Sequence, residues 1–273
     1  MDICRVFVNF RACRAVSYVL WAKGIDAVER SHGDIAPQIR FLLFIELGNQ
    51  MIIKAKRRRV RRINVEVTSD ETRLRGVLTL PENPEGLIIW VRNAENTRPS
   101  VRDQALVEAF QEVHLATLLL DLLSESERRV DRSTLRLQYH VPFLAGRIQL
   151  GIEWALANDS TRHLNLGLFG TETGAAAVLV ASVQRSHRIR AIVCEGGRPD
   201  LRSSILSDIR VPTLFIAGDK DHATLENNLE AARRLAVENK LVTISGTGHP
   251  DRRSKKLNTV AVHARNWFRE HLN

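Results

Sequence analysis

The sequence predicts an α/β fold: a mostly parallel, doubly wound sheet with helices on both faces and two antiparallel strands at its N-terminal side. Three observations predict it. Two segments alternate apolar and polar residues, a series of short apolar runs follows them, and stretches with helical spacing separate the runs. Strand and helix units that alternate along a chain are typical of a parallel sheet.

The two alternating segments begin at Ile63. A strand with one buried and one solvated face has this pattern, so we expect both segments to be half-buried antiparallel strands. The residues on the buried faces are Ile63, Val65 and Val67 in the first segment and Leu74, Gly76, Leu78 and Leu80 in the second.

A continuous apolar run comes next, as expected for a strand that helices cover on both faces, and five similar, mostly apolar runs follow it. They occupy residues 87–91, 115–120, 164–169, 189–193, 213–217 and 240–244. Helical spacing lies between them, with apolar residues at Leu106, Phe110 and Val113, and at Val260, Ala264, Trp267, Phe268 and Leu272.

The net charge of +9 is concentrated near the N-terminus. Residues 1–62 contain 13 Lys and Arg against 5 Asp and Glu, whereas residues 63–273 contain 27 against 26. We interpret residues 1–62 as a basic extension or linker, poorly ordered, and residues 63–273 as the α/β domain. We also expect either that the natural protein starts at Met51 or that residues 1–50 are a poorly ordered extension. A basic run attracts phosphates without sequence preference, so no specific nucleic-acid partner is expected.

The cysteine content favours a reducing, cytoplasmic location. Cys4, Cys13 and Cys194 are widely separated and offer neither a disulfide framework nor metal-ligand spacing. The apolar runs are far shorter than the roughly 20 residues that cross a bilayer. We therefore expect no membrane span, and the sequence does not indicate an oligomeric state.

A Gly-x-x-x-Gly segment at residues 170–174, here called the elbow, follows a buried run and precedes a series of small residues. Small residues at both ends of a tight strand-to-helix turn allow the central residue, Glu172, to occupy a strained corner and point into a pocket. The alternative is an ordinary turn that uses glycine only for close packing.

Two later loops make the functional interpretation of the elbow more specific. Asp221 ends a Gly-Asp-Lys-Asp segment after one apolar run, and His249 ends a Ser-Gly-Thr-Gly-His segment after the next. Both follow predicted strands at their carboxyl ends, where open α/β sheets hold their functional groups. The order of elbow, acid and histidine is that of a hydrolytic triad.

From about Val65 to Leu272 the chain resembles the α/β-hydrolase superfamily, nearest to dienelactone-hydrolase-like proteins. The likeness is carried by residues 115–123 (Leu-Ala-Thr-Leu-Leu-Leu-Asp-Leu-Leu), 174–177 (Gly-Ala-Ala-Ala) and 196–201 (Gly-Gly-Arg-Pro-Asp-Leu). The resemblance implies the α/β-hydrolase fold and cleavage of esters or lactones by a serine or cysteine, without metal or organic cofactor. It also implies that Asp221 is the triad acid and His249 the base, while Glu172 stands at the nucleophile position.

The oxyanion loop departs from the family as well. Where relatives commonly have His-Gly-x-Gly, this chain has Arg92-Asn93-Ala94-Glu95-Asn96. Without the glycines, close approach of the backbone to a substrate oxyanion is disfavoured. We expect Arg92 to form an ion pair with Glu172, and Arg92, Asn93 and Thr173 to line the pocket.

Several interpretations of the site remain open. One is a degenerate triad that binds a small ester-like or lactone-like molecule and hydrolyses acyl esters weakly or not at all. Another is an active hydrolase in which Glu172 attacks an alkyl halide or epoxide. A third is a protein that binds small molecules without catalysis. A divalent metal site is not favoured, although its candidate ligands are Glu172, Glu95, Asp221, His249 and His222.

Overall fold

The computed structural model describes residues 60–69, 72–91, 100–184, 187–197, 199, 204–245 and 255–272 of the 273-residue chain. All of them belong to one unit, residues 58–273. Among the helices of this described part, none is long and apolar enough to cross a membrane.

Eight described strands form one sheet, in the order β1-β2-β4-β3-β5-β6-β7-β8. The strands are β1 Arg61–Ser69, β2 Thr72–Leu80, β3 Gly86–Val91, β4 Leu115–Leu120, β5 Asn165–Thr171, β6 Ile189–Glu195, β7 Thr213–Gly218 and β8 Asn239–Ile244. Strand β2 pairs antiparallel with both β1 and β4, and every other pairing is parallel.

Helices connect the strands in the way that parallel pairing requires. They are α1 Val101–Gln111, α2 Glu125–Thr134, α3 Val141–Ala157, α4 Thr173–Gln184, α5 His222–Arg234 and α6 Lys255–Leu272, with a short 3₁₀ helix at Ser204–Asp208. Helices α1 and α6 share one hydrophobic cluster with the sheet, and α3, α4 and α5 share the other.

Aromatic rings fill the core between the sheet and helices α1 and α6. Phe110 of α1 lies edge-on to Phe169 of β5 at 6.1 Å and to Phe268 of α6 at 5.8 Å between ring centroids. Trp90 of β3 lies 5.2 Å from Phe169. These side chains are almost completely buried, so apolar burial and ring packing hold this layer against the sheet.

Local capping fixes where α1 begins. The Ser100 hydroxyl accepts the backbone N–H of Asp103 at 3.2 Å, and the Asp103 carboxylate accepts the N–H of Ser100 at 2.7 Å. This reciprocal capping box satisfies two N–H groups that the first helical turn leaves without partners. The first turn of α1 is therefore held in a defined position.

The predicted fold class is confirmed. The two alternating segments are the antiparallel strands β1 and β2, and each of the six runs forms a strand that pairs in parallel, although Leu164 lies just before the start of β5. Several strand ends differ from the ends of the predicted runs, and two of these differences bear on the site: β5 continues to Thr171 and β6 to Glu195. These two polar residues are register partners, and their pairing extends both strands beyond the apolar runs.

Candidate functional site

Glu172 occupies the sharp corner between strand β5 and helix α4. Its backbone has a φ of 53°, in the left-handed region that residues with a Cβ rarely adopt. Its N–H donates to the carbonyl oxygen of Glu195 at 3.0 Å, and its own carbonyl accepts the N–H of Ala175 at 3.1 Å. The corner is thus tied on one side to strand β6 and on the other to the first turn of α4.

Glycines on both sides make this corner possible. A Cβ added at Gly170 would lie 2.4 Å from the carbonyl oxygen of Gly174. A Cβ at Gly197, in the loop after β6, would lie 2.3 Å from the Cβ of Ala175 and 2.5 Å from the carbonyl oxygen of Glu172. Real Cβ atoms do not approach this closely, so both positions require glycine.

The side chains at the corner are partly accessible. Glu172 and Thr173 are half-buried, whereas their neighbours Thr171 and Gly174 are buried. A strained residue that stays accessible at the carboxyl ends of parallel strands has the placement of a functional residue in this class of sheet. Glu172 can therefore present its carboxylate at the carboxyl edge of the sheet.

Asp221 caps helix α5 directly after strand β7. One carboxylate oxygen accepts the backbone N–H of Thr224 at 3.0 Å, and the other accepts the Thr224 hydroxyl at 2.7 Å. Each carboxylate oxygen has two lone pairs, so this capping leaves acceptor capacity for an imidazole. The cap gives Asp221 a structural role in addition to the role predicted from the sequence.

A buried asparagine connects the helix of Asp221 to the loop beside the elbow. The side-chain N–H groups of Asn228 donate to the carbonyl oxygens of Gly197 and Thr224, both at 2.7 Å. Asn228 is fully buried. Gly197 lies against the carbonyl oxygen of Glu172, and Thr224 donates to Asp221. Asn228 therefore links the surroundings of Glu172 to those of Asp221.

Three of the predicted site residues, Arg92, Asn93 and His249, lie outside the described residues, as does Glu95. The Arg92–Glu172 pair and the complete triad therefore stay predictions. His222 is described and is the first residue of α5. Within the part of the chain that the structure describes, His, Cys, Asp and Glu form no group of three or more that could hold a metal ion.

A buried ion pair next to the elbow was not predicted from the sequence. Arg102, in the first turn of α1, donates a short hydrogen bond to the carboxylate of Glu195 at the end of β6. The Glu195 side chain is completely buried and that of Arg102 is 13% exposed. Glu195 therefore contributes both its carbonyl oxygen to Glu172 and its charge to Arg102.

Cys194 precedes Glu195 and points to the opposite face of the sheet. Its side chain is fully buried and its thiol donates to the carbonyl oxygen of Ala175 at 3.5 Å. Burial raises the pKa of the thiol far above its ordinary value. A thiol with a raised pKa is a poor nucleophile, so Cys194 is an inert residue of the core.

No family model matches this chain. Two curated proteins are similar to it over part of their own length. Two proteins of Mycobacterium tuberculosis, from strains CDC 1551 and H37Rv, carry the name "putative phosphoribosyl transferase" and are 34% identical over 208 residues. The match covers 76% of this chain and 46% of each relative. The chain thus spans about half the length of the curated relatives it matches.

Solved structures give a more complete match. Est1E from Butyrivibrio proteoclasticus is 16% identical, covers 76% of this chain and 98% of its own length, and has a TM-score of 0.63, which shows the fold alone. A dienelactone hydrolase from Anabaena variabilis is 34% identical with a TM-score of 0.75, over 78% of this chain and 99% of that protein. With this identity over almost the whole of a solved relative, the chain belongs to the dienelactone hydrolase-like α/β hydrolases.

Proposed function

We propose that this protein has a degenerate hydrolase site that binds a small ester-like or lactone-like molecule and hydrolyses acyl esters weakly or not at all. The site consists of Glu172 in place of the nucleophilic serine, with Asp221 and His249 as the acid and base. It requires no metal or organic cofactor. The observation that carries the proposal is the position of Glu172 on the strained corner of the elbow, with a φ of 53°.

The chemistry of a carboxylate explains the loss of acyl transfer. If an oxygen of Glu172 attacked an ester carbonyl and expelled the alkoxide, the product on the enzyme would be a mixed anhydride. This intermediate is higher in energy than the ester from which it forms, whereas a serine nucleophile forms another ester. The barrier is therefore higher at Glu172 although its placement is that of a nucleophile.

The retained scaffold supports binding of a small molecule. The elbow, the capped Asp221 and the loop held by Asn228 lie at the carboxyl ends of neighbouring strands, where open α/β sheets bind ligands. The A. variabilis relative is named a dienelactone hydrolase, which supports an ester-like or lactone-like ligand. We propose that Thr173 lines this pocket together with Arg92 and Asn93.

Alkyl transfer to Glu172 is a second candidate, favoured by the half-buried carboxylate on the corner. A carboxylate oxygen would attack a carbon that bears a halide, forming an alkyl ester on Glu172 as the carbon–halogen bond breaks and the halide leaves with the electron pair. Water, activated by His249, would then hydrolyse the ester, releasing the alcohol and a proton and restoring the Glu172 carboxylate. Intact-mass and peptide analysis after incubation of a His249→Ala variant with alkyl halides tests this candidate, because the ester would accumulate on the Glu172 peptide.

We do not assign to this chain the transferase activity in the name of the M. tuberculosis relatives, because more than half of each relative lies outside the match. We further propose that residues 63–273 are the hydrolase domain, that residues 1–62 are a basic extension, and that the protein is cytoplasmic. The described cysteine, Cys194, is a free buried thiol, which is compatible with a reducing compartment.

A gain-of-function comparison tests the proposal. The full chain and its Glu172→Ser and Glu172→Gln variants would be treated with a fluorophosphonate probe and with short p-nitrophenyl esters. We expect labelling at position 172 and ester turnover only in the serine variant, with the Gln variant as the matched control for loss of charge. Robust ester turnover by the unmodified chain, abolished by His249→Ala, would overturn the proposal.

A further inference from the structure

Helix α2, residues Glu125–Thr134, presents charged side chains to the protein and its apolar side chain to solvent. A surface helix normally does the reverse. The two buried residues of α2 are Arg128 and Asp131, and its one apolar residue, Val130, is 62% exposed. Apolar packing therefore does not hold this helix against the domain.

Contacts of charged side chains hold α2 in place instead. Arg128 donates to the carbonyl oxygen of Leu123 at 3.0 Å, and its guanidinium lies 3.4 Å from the carboxylate of Asp121. Glu127 accepts a short hydrogen bond from Arg147 of α3. These contacts fix the helix to the segment that follows β4 and to α3.

The turn after α2 is fixed by Asp131, a residue that is only 2% exposed. Its carboxylate accepts the Thr134 hydroxyl at 3.0 Å, the N–H of Leu137 at 2.7 Å and the N–H of Gln138 at 3.0 Å. Three hydrogen bonds to one buried carboxylate give the turn between α2 and α3 a defined conformation.

This turn displays two more apolar side chains in solvent. Leu135 ends α2 with a φ of 53°, in the left-handed region, and is 48% exposed, while Tyr139 is 60% exposed. Strained backbone persists only where its surroundings fix it, and it clusters at functional positions. Together with Val130, these residues are three of the six exposed large hydrophobic residues in the described part of the chain. They are concentrated on one short segment and not scattered singly over the surface.

Exposed arginines accompany these apolar side chains. Arg129, Arg132 and Arg136 are exposed, and the side chain of Arg129 is 78% exposed at 3.9 Å from Glu125. Glu125 is the one exposed acidic residue between positions 125 and 139, and it already pairs with Arg75 at 2.6 Å. The segment thus offers a surplus of positive charge to a partner.

The six exposed side chains are here called the α2 patch: Val130, Leu135, Tyr139, Arg129, Arg132 and Arg136. The positive charge of the patch disfavours a second copy of the same patch as its occupant. A specific protein interface takes about 20–30 residues on each side, many more than the patch contains. A lipid surface needs less, because a few apolar side chains enter the headgroup region and cations are attracted to anionic lipids. Tyrosine is also enriched at this depth.

We propose that the α2 patch docks reversibly on the surface of an anionic lipid bilayer. Val130, Leu135 and Tyr139 enter the headgroup region, and the three arginines bind the anionic groups of the lipids. The cytoplasmic leaflet carries anionic lipids, in agreement with the proposed cytoplasmic location. Hydrolysis plays no part in this docking, so the proposal can fail while the proposed function holds, or the reverse.

A fluorescent label on the patch tests the proposal. The full chain would carry Cys4→Ser, Cys13→Ser and Leu135→Cys, with Cys194 retained because it is buried, and a nitrobenzoxadiazole label on the introduced thiol. The emission of this dye moves to shorter wavelength when the dye leaves water. Vesicles of phosphatidylcholine alone would be compared with vesicles of equal parts of phosphatidylcholine and phosphatidylserine. Tyr139→Cys provides a second label position if Leu135→Cys does not fold.

We expect the emission to move to shorter wavelength only with the vesicles that contain phosphatidylserine. The same dye at Val262→Cys on α6, where the native residue is 40% exposed, is the matched control and should not respond. This control is needed because the basic residues 1–62 attract anionic lipids by themselves. A response at both label positions, a response at neither, or the same response with phosphatidylcholine alone would overturn the proposal.

The arginines are tested by a triple variant of the labelled chain, Arg129→Gln/Arg132→Gln/Arg136→Gln. Each arginine near an anionic surface contributes about fivefold to binding, so the vesicle concentration at half response should rise by about tenfold or more. The matched control removes the same charge from exposed positions elsewhere, with Arg190→Gln/Arg233→Gln/Arg269→Gln. Equal effects of the two triple variants would show attraction by net charge alone and would contradict the proposal. A change in emission that depends on protein concentration without vesicles would assign the patch to a second copy and would also overturn it.

Discussion

The backbone N–H of Glu172 donates to the carbonyl oxygen of Glu195 at 3.0 Å, which ties the elbow to the neighbouring strand. This contact uses main-chain atoms only. The corner also depends on Gly170 and Gly197, where a Cβ would collide with backbone or with Ala175. The elbow is therefore maintained by its surroundings, and its geometry persists although the residue at its centre is a glutamate.

Gly197→Ala should destabilise the protein by about 1–3 kcal/mol, the usual effect of overpacking. The added methyl would lie 2.3 Å from the Cβ of Ala175 and 2.5 Å from the carbonyl oxygen of Glu172. Urea unfolding measures the change. Gly146→Ala in α3 is the matched control: nothing lies within 4 Å of its added Cβ, so a gain of about 0.5–1 kcal/mol is expected. Equal effects of the two substitutions would contradict this account of the elbow.

The strained backbone of Glu172 should reverse the ordinary preference for alanine over glycine. We expect Glu172→Gly to be more stable than Glu172→Ala by about 1 kcal/mol, because only alanine has a Cβ that opposes the left-handed conformation. Both variants lose the carboxylate, so the difference isolates the backbone. At Thr173, in the first turn of α4, alanine should be the more stable by up to about 1 kcal/mol. Thermal unfolding of the Gly and Ala variants at positions 172 and 173 measures this reversal. If alanine were the more stable residue at both positions, the prediction would be refuted.

Asp221 should show separate structural and chemical roles. Asp221→Ala removes the acceptors for the Thr224 N–H and hydroxyl and should cost about 1 kcal/mol of stability. Asp221→Asn keeps an oxygen for the N–H and should cost only a few tenths of a kcal/mol. In a Glu172→Ser background, both variants should lose ester turnover, since neither can stabilise a histidine cation. A stability loss of the same size in both variants would show that the cap depends on charge.

His263 of α6 makes the stability of the protein sensitive to mild acid. Burial and the nearby positive charge of Lys240 lower the pKa of this histidine in the folded state. As the pH falls below about 6.5, His263 is protonated in the unfolded chain before it is protonated in the folded protein. The free energy of unfolding therefore falls as the pH falls. Lys240→Met should raise the pKa of His263 and reduce this loss.

Nuclear magnetic resonance titration of the His263 ring and urea midpoints at neutral and mildly acidic pH measure both effects. Lys220→Met, which removes an exposed lysine after β7, is the control and should leave the His263 titration unchanged. A pKa of His263 that does not respond to Lys240→Met would contradict the attribution to Lys240.

The strands and helices could be predicted because burial leaves a local pattern. Residues 87–91 are apolar throughout, and residues 115–120 are apolar except for Thr117, because helices cover both faces of β3 and β4. The buried stripe of Val260, Ala264 and Phe268 likewise predicted the face of α6 that packs on the sheet. Such patterns need no knowledge of distant contacts.

The Arg102–Glu195 pair could not be predicted in the same way. The partners are 93 residues apart, and Arg102 is one of many arginines on predicted helices. The one local signal is Glu195 itself, a charged residue that directly ends a buried run before two glycines. The cap formed by Asp221 had a clearer signal, since Asp directly before a helix is a typical N-cap residue.

The initial rate of p-nitrophenyl acetate hydrolysis by the unmodified full chain, measured beside Glu172→Gln, tests the central claim most directly. If Glu172 stands at the elbow without supporting acyl transfer, the two rates are equal and close to that of buffer. A rate for the unmodified chain that clearly exceeds the buffer rate and is lost in Glu172→Gln would contradict the account.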